Sequence, residues 1–110
     1  MTADVGAQMR KGVVEYCVLG LLAREPMYGW QLADALTGAG LIASIGTLYP
    51  LLGRLKDNGW VTTFDQPSGS GPVRKYYRLT GSGIDQLDRF RAQWTPFARV
   101  VTGIVGEGRP

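Results

Sequence analysis

The sequence contains no histidine and a single cysteine, Cys17. It therefore lacks the imidazole that ordinarily activates a nucleophile, the ligands of a structural zinc site, and any disulfide framework within the chain. No acid–base pair or metal set is visible, so an enzyme is not expected and no cofactor or metal is assigned. No apolar run approaches about 18 residues, and the N-terminus has no signal-peptide core with a small-residue cleavage site, so a cytoplasmic location away from the membrane is expected. Charge of one sign is also scarce: 12 basic against 9 acidic residues give a net charge of +3. So mild a bias does not mark a nucleic-acid partner; only clustering can do that. The 110 residues suffice for one small domain. Such a domain buries about two thirds of its unfolded surface, which makes any leftover apolar stripe a candidate for pairing with a second chain.

What the chain does have is a punctuated stretch from Ser44 to Gly59. Leu48, Leu51, Leu52 and Leu55 recur at helical spacing and form one apolar stripe, while Thr47, Tyr49, Pro50, Gly53, Arg54 and Lys56 fall off it. This reads as a short helix packed on one side and presented on the other. Pro50 has no backbone donor and belongs in a first turn, so the helix is expected to start near Gly46 or Thr47, capped by Ser44 or Thr47. Asn58-Gly59 supplies its C-terminal end. Trp60 to Phe64 is rich in aromatic and β-branched residues and reads as a strand, Asp65 to Pro72 as a loop, and Val73 to Leu79 as a returning strand. The two strands make a hairpin.

Upstream, residues 1–7 show no period and are expected to be a flexible arm. From Gln8 to Ala23, Met9, Val13, Tyr16, Cys17, Gly20 and Leu21 follow steps of three and four, with Val14, Val18, Leu19 and Leu22 broadening the face. A helix so apolar is expected to pack on its own domain and on a partner as well. Arg10 and Lys11 at its start either meet phosphate or are simply solvated. Arg24-Glu25-Pro26 ends this helix. A second helical pattern runs from Tyr28 through Trp30 or Gln31, Leu32, Ala35 and Leu36, and Gly38-Ala39-Gly40 stops it.

Several of these blocks, in this order, resemble the PadR family of winged-helix transcriptional regulators. They are Tyr28-Gly29; Gly46 to Leu52 with Arg54-Leu55; Asn58 to Val61; Arg74 to Thr80; and Gly83. The similarity spans roughly residues 10–90. It implies a mainly α fold with a small β-hairpin wing: a winged helix-turn-helix over residues 8–79 and a C-terminal dimerisation helix over 80–105; Gly103, Gly106 and Gly108 mark fraying, so 106–110 is expected to be a disordered tail. In such a fold the second helix of the motif lies in the major groove while the first crosses the backbone. The resemblance carries a DNA-facing role to Lys11, Tyr28, Ser44, Thr47, Tyr49, Pro50, Arg54, Arg74 and Lys75. It sets Arg74 and Lys75 at the base of the wing beside Arg54, Lys56 and Tyr49, a basic patch suited to phosphate. Thr47 is placed to meet a thymine methyl or an acceptor, and Arg54 a guanine or a phosphate. Specificity from the Gly-Ser-Gly-Pro wing tip or from DNA shape is equally open.

Beyond Thr80 a long helix is expected, ending near Val105. Leu87, Trp94 and Val101 repeat every seven residues, as do Phe90, Phe97 and Ile104, which together make an a/d seam. No second helix of this kind is left in the chain, so a homodimer is expected, this helix meeting its own copy or the partner's first helix. Two-fold symmetry then spaces the presented helices about 34 Å apart, one per major groove, on double-stranded operator DNA. Pro96 removes a hydrogen bond to Ala92 and is expected to kink or loosen the helix. Short multidrug-binding PadR-like regulators carry a Trp at the place matching Trp94. There two copies flank an interfacial pore in which flat aromatic compounds stack. The resemblance thus implies a small aromatic or hydrophobic ligand at Trp94, with Val13, Cys17 and Phe97 lining the cleft; otherwise Trp94 is seam core. The expected function is a homodimeric regulator, a repressor released by such an effector. The competing expectation is a winged-helix interaction module that binds neither DNA nor ligand.

Overall fold

A computed structural model describes residues 5–106 as five helices and a three-stranded sheet: α1 (Val5–Arg10), α2 (Val14–Arg24), β1 (Met27–Tyr28), α3 (Gly29–Gly38), α4 (Ile45–Asp57), β2 (Val61–Gln66), β3 (Arg74–Leu79) and α5 (Gly81–Val105). The expected continuous helix over 8–23 is instead two. Gly12 adopts a φ of +84°, and the chain re-enters a helix only at Val14, so α1 stands apart from α2. The expected arm changes with it: Val5, Gly6 and Ala7 begin α1, while residues 1–4 lie outside the described part, as does the tail from 107 to 110.

The core is built by one face each of α2, α3 and α4. Val18, Leu19, Leu32, Leu36, Leu48, Leu52 and Leu55 are fully buried, and each contributes about 1.5–3 kcal/mol of burial. On α2 the buried set is Val14, Val18, Leu19 and Leu22. The positions read as its principal stripe, Val13, Tyr16, Cys17, Gly20 and Leu21, are only half-buried. Two apolar faces share this helix: one is core, and on the other Tyr16, Cys17 and Leu21 pack at the edge of the core and stay half-buried.

α3 and α4 form the helix-turn-helix, joined through Ala39 to Ser44. Ser44 occupies the N-cap position, with extended backbone and no side-chain cap bond. Pro50 is the sixth residue of α4, not in its first turn as expected. Its ring costs the helix the bond to Gly46, and the four buried leucines on the opposite face hold the helix together despite that loss. At the other end the Trp60 amide donates to the Leu55 carbonyl (3.0 Å) and the Gly59 amide to that of Lys56 (2.9 Å), closing the helix and turning the chain into β2.

The sheet order is β1-β3-β2, antiparallel throughout. β1 is two residues long and pairs Met27 with Tyr77 and Tyr28 with Tyr76, tying the start of α3 to the wing. Thr80 hinges wing to α5: its hydroxyl donates to the Gly59 carbonyl (2.6 Å) and accepts from the Gly83 amide (3.0 Å). Gly83 then lies so close to the Trp60 carbonyl that a methyl group there would collide with it. α5 continues as one helix through Pro96 to Val105.

Candidate nucleic-acid interface

α4 presents a helix face with almost no side chains along its centre. Gly46, Pro50 and Gly53, spaced by four and three residues, form an exposed crest opposite the buried leucines. Two flanks border it, and they differ.

On one flank Tyr49 faces the wing. With Tyr28, Gly29, Trp30, Arg74, Lys75 and Tyr77 it lines a cavity of about 390 Å³. Tyr49 is half exposed and its ring rests against Gly29, while Trp30 is 61% exposed at the start of α3. The Gln31 side chain accepts a hydrogen bond from the Tyr28 amide (3.0 Å), securing that turn. The Arg74 guanidinium lies 4.5 Å from the centre of the Tyr28 ring, which stands edge-on to Tyr76; Tyr76 in turn stacks on Phe64, and Arg78 covers Phe64. Burial pushes the Tyr77 phenol above its ordinary pKa, and neighbouring Tyr49 adds to the rise. Tyr77 is therefore a neutral phenol across the physiological range.

On the other flank Thr47 and Arg54, seven residues apart, face α2. Together with Arg10, Lys11, Gly12, Glu15 and Leu51 they border a groove of about 370 Å³. Arg54 donates through Nε (2.9 Å) and Nη2 (2.8 Å) to a single oxygen, Oε1 of Glu15. The expected single patch is thus divided. Tyr49 does sit beside Arg74 and Lys75, but Arg54 and Thr47 are turned away from them, on the side of Lys11. Arg74 and Lys75 are also not at the base of the wing: they pair with Gln66 and Asp65, next to the loop at its tip. A seven-residue spacing puts Thr47 and Arg54 on one flank and Tyr49 and Lys56 on the other, which is why they do not converge. The sequence alone assigns no role to Trp30, Tyr77 or Glu15. Trp30 and Tyr77 adjoin motif residues in the chain, whereas Glu15 lies 39 positions from Arg54 and no local pattern joins them.

The C-terminal helix divides as well. Leu87, expected on the dimer seam, is buried in the core of its own chain, and Gly83 beside it is buried too. Phe90 is stacked on Tyr16 with ring centres 4.3 Å apart, and Gln86 donates to the Tyr16 hydroxyl (3.0 Å). α5 is pinned to α2 at this level, so Leu87 and Phe90 serve the fold of the single chain. Past them the apolar residues stand free: Trp94 is 41%, Phe97 62% and Ile104 80% exposed. Trp60, Tyr16, Phe90, Trp94 and Phe97 form one row of rings with successive centres 4.3–6.4 Å apart.

Two of the effector candidates, Trp94 and Cys17, border different hollows. Trp94 borders a shallow hollow with Thr95, Ala98, Arg99 and Thr102. Cys17 borders a different cleft, of about 450 Å³, with Gly20, Leu21, Leu36, Ala39 and Arg91. Burial raises the Cys17 thiol above its ordinary pKa, so it is a poor nucleophile there. Among the described residues no group of acidic, His or Cys side chains is arranged to hold a metal ion, and no helix is long and apolar enough to cross a membrane.

Known proteins bear out the fold. A PadR-like transcriptional regulator from Bacillus cereus superposes with a TM-score of 0.83 at 35% identity, over 93% of this chain and 99% of that one. The transcriptional regulator Rv3488 of Mycobacterium tuberculosis is 31% identical over 96 residues, 87% of this chain and 89% of the relative. The negative transcriptional regulator PadR of Bacillus subtilis is 28% identical over 92 residues, which span 50% of that longer protein. A crystal structure of Bacillus subtilis PadR in complex with operator DNA matches with a TM-score of 0.64 at 30% identity, over 71% of this chain and 46% of that one. Residues 18–89 match the model of the transcriptional regulator PadR-like family, which takes in α3, α4 and the whole wing, and by that match this chain belongs to the PadR-like family of transcriptional regulators, not to a family of enzymes.

Proposed function

We propose that this chain is a cytoplasmic, homodimeric, sequence-specific DNA-binding regulator. It represses transcription and is released by a small hydrophobic or aromatic effector bound at the dimer interface. One observation carries the reading: between Gly46 and Gly53 the exposed crest of α4 bears only the Pro50 ring, and the flanks on both sides of it bear cations. A bare crest lets a helix backbone approach base edges closely, and flanking cations with hydroxyl donors suit the phosphates on either side of a groove. In this reading Thr47, Pro50 and Arg54 enter the major groove, and Ser44 and Lys11 meet one phosphate strand. Tyr28, Tyr49, Arg74 and Lys75 meet the other. The operator complex and the negative role of the Bacillus subtilis relative support DNA and repression respectively.

Dimerisation rests on the exposed second half of α5 and the half-buried face of α2. Two copies of Trp94, Val101 and Ile104 facing one another would remove apolar surface from water, with Val13, which precedes α2, and Cys17 of α2 closing the sides. A flat compound between the two Trp94 rings then shifts the spacing of the two wings by as much as it prefers one arrangement over the other. A gel-shift titration tests the DNA reading: duplexes selected from a random pool are retained at low salt and lost as salt rises. Failure to retain any duplex rejects it. For the effector, planar aromatic compounds are expected to quench tryptophan emission, and Trp94→Ala to abolish the quenching above the background of Trp30 and Trp60.

A further inference from the structure

We infer that Glu15 is a positioning residue for DNA recognition, holding the Arg54 guanidinium in the orientation that reads the operator. The inference rests on the DNA-binding reading above. A carboxylate on a DNA-facing flank ordinarily repels phosphate, so its presence there needs a reason. Its neighbours are Arg10, Lys11 and Arg54, and it engages one of them, through one oxygen, from a different helix.

The geometry separates holding from neutralising. Nε and Nη2 share one edge of the guanidinium, and both donate to Oε1 of Glu15. The opposite edge, with Nη1, is directed away from the carboxylate, and the Arg54 side chain is 60% exposed while that of Glu15 is 22% exposed. The anion is set back and the cation projects. An unheld arginine samples many rotamers; one held on its inner edge presents its outer donors in a fixed fork, as a guanine or a phosphate in register requires. α2 and α4 are both anchored by buried leucines, so the clamp has a rigid frame. As an exposed ion pair it adds little to folding.

The test turns on sign. In a complex without register only charge matters, whereas in the operator complex geometry matters as well. Binding is measured to the tightest duplex selected from a random pool and to a scrambled duplex of the same length. Glu15→Ala is expected to weaken the selected duplex about fivefold, at the low end of losing an arginine contact, while it tightens the scrambled one. Glu15→Gln, whose amide oxygen accepts the same two bonds, is expected to restore the selected duplex to within about twofold of the parent. With Arg54 already replaced by Ala, adding Glu15→Ala is expected to tighten both duplexes. Arg54→Lys, which keeps the charge and loses the fork, is expected to weaken the selected duplex alone, and it serves as readout if Glu15→Ala does not fold. Glu15 is overturned as a positioning residue if Glu15→Ala binds the selected duplex as well as the parent does. Equal loss on both duplexes also overturns it, leaving only a brace between helices, as does an Arg54→Lys that behaves like the parent. No retention of any duplex by the parent chain removes the regulator reading itself.

Discussion

The two halves of α5 carry one heptad pattern and meet opposite fates. Gly83 and Leu87 are buried within the chain and Phe90 lies flat on Tyr16, whereas Phe97 and Ile104 project from the body with most of their surface in solvent. The repeat does not change between them; the neighbours do. α5 packs on α2 and β3, the Tyr16 ring of α2 meets its first half, and the apolar residues of its second half are exposed. A heptad therefore records an apolar stripe without recording what covers it, and a seam read from spacing mixes residues that fold the chain with residues the single chain leaves exposed.

Substitutions can sharpen or erase this division. Leu87→Ala is expected to have the largest effect, a loss of about 2–5 kcal/mol in folding free energy by chemical denaturation, since it opens a cavity in the core. Gly83→Ala is expected to cost about 1–3 kcal/mol, because the added methyl must push α5 off the Trp60 carbonyl, and a lowered thermal midpoint would report it. Phe97→Glu is expected to change the dilute-limit stability by less than about 0.5 kcal/mol. It should nevertheless abolish the rise of the thermal midpoint with protein concentration and reduce the sedimenting mass to one chain. A Phe97→Glu variant as unstable as Leu87→Ala would erase the distinction between the halves.

The smallest effect is one of pH, on the half-buried face of α2. The folded chain favours the neutral Cys17 thiol, so its contribution is intact below the ordinary thiol pKa and is lost as pH rises through the raised value. A midpoint that falls between pH 8 and pH 10 less steeply in Cys17→Ala than in the parent would show it.

Much of the fold was legible because its signals are local. The leucine stripe and Asn58-Gly59 bound α4 to within a residue or two, although Pro50 lies deeper in it than its missing donor implied, and the β-rich runs around a Gly-Pro loop gave the hairpin. What was not legible depends on distant partners. β1 is two residues long and exists only because β3 passes beside it. The break at Gly12, where a glycine turns a periodic run, left no trace in the apolar spacing. Spacing does not tell which face of α2 is core, because both faces are apolar. At the candidate interface the motif residues were found by resemblance. Their division into two flanks follows from helical geometry, and the Glu15–Arg54 pair spans 39 residues that no periodicity connects.

The crest of α4 has a consequence for how such a protein changes its target. In the proposed complex Gly46, Pro50 and Gly53 would offer shape and little chemistry, so the vocabulary of recognition would be spelled on the two shoulders, by exposed side chains such as Thr47, Tyr49 and Arg54. A new address on the genome can then be written by exchanging shoulder residues one at a time, with the scaffold beneath left as it was.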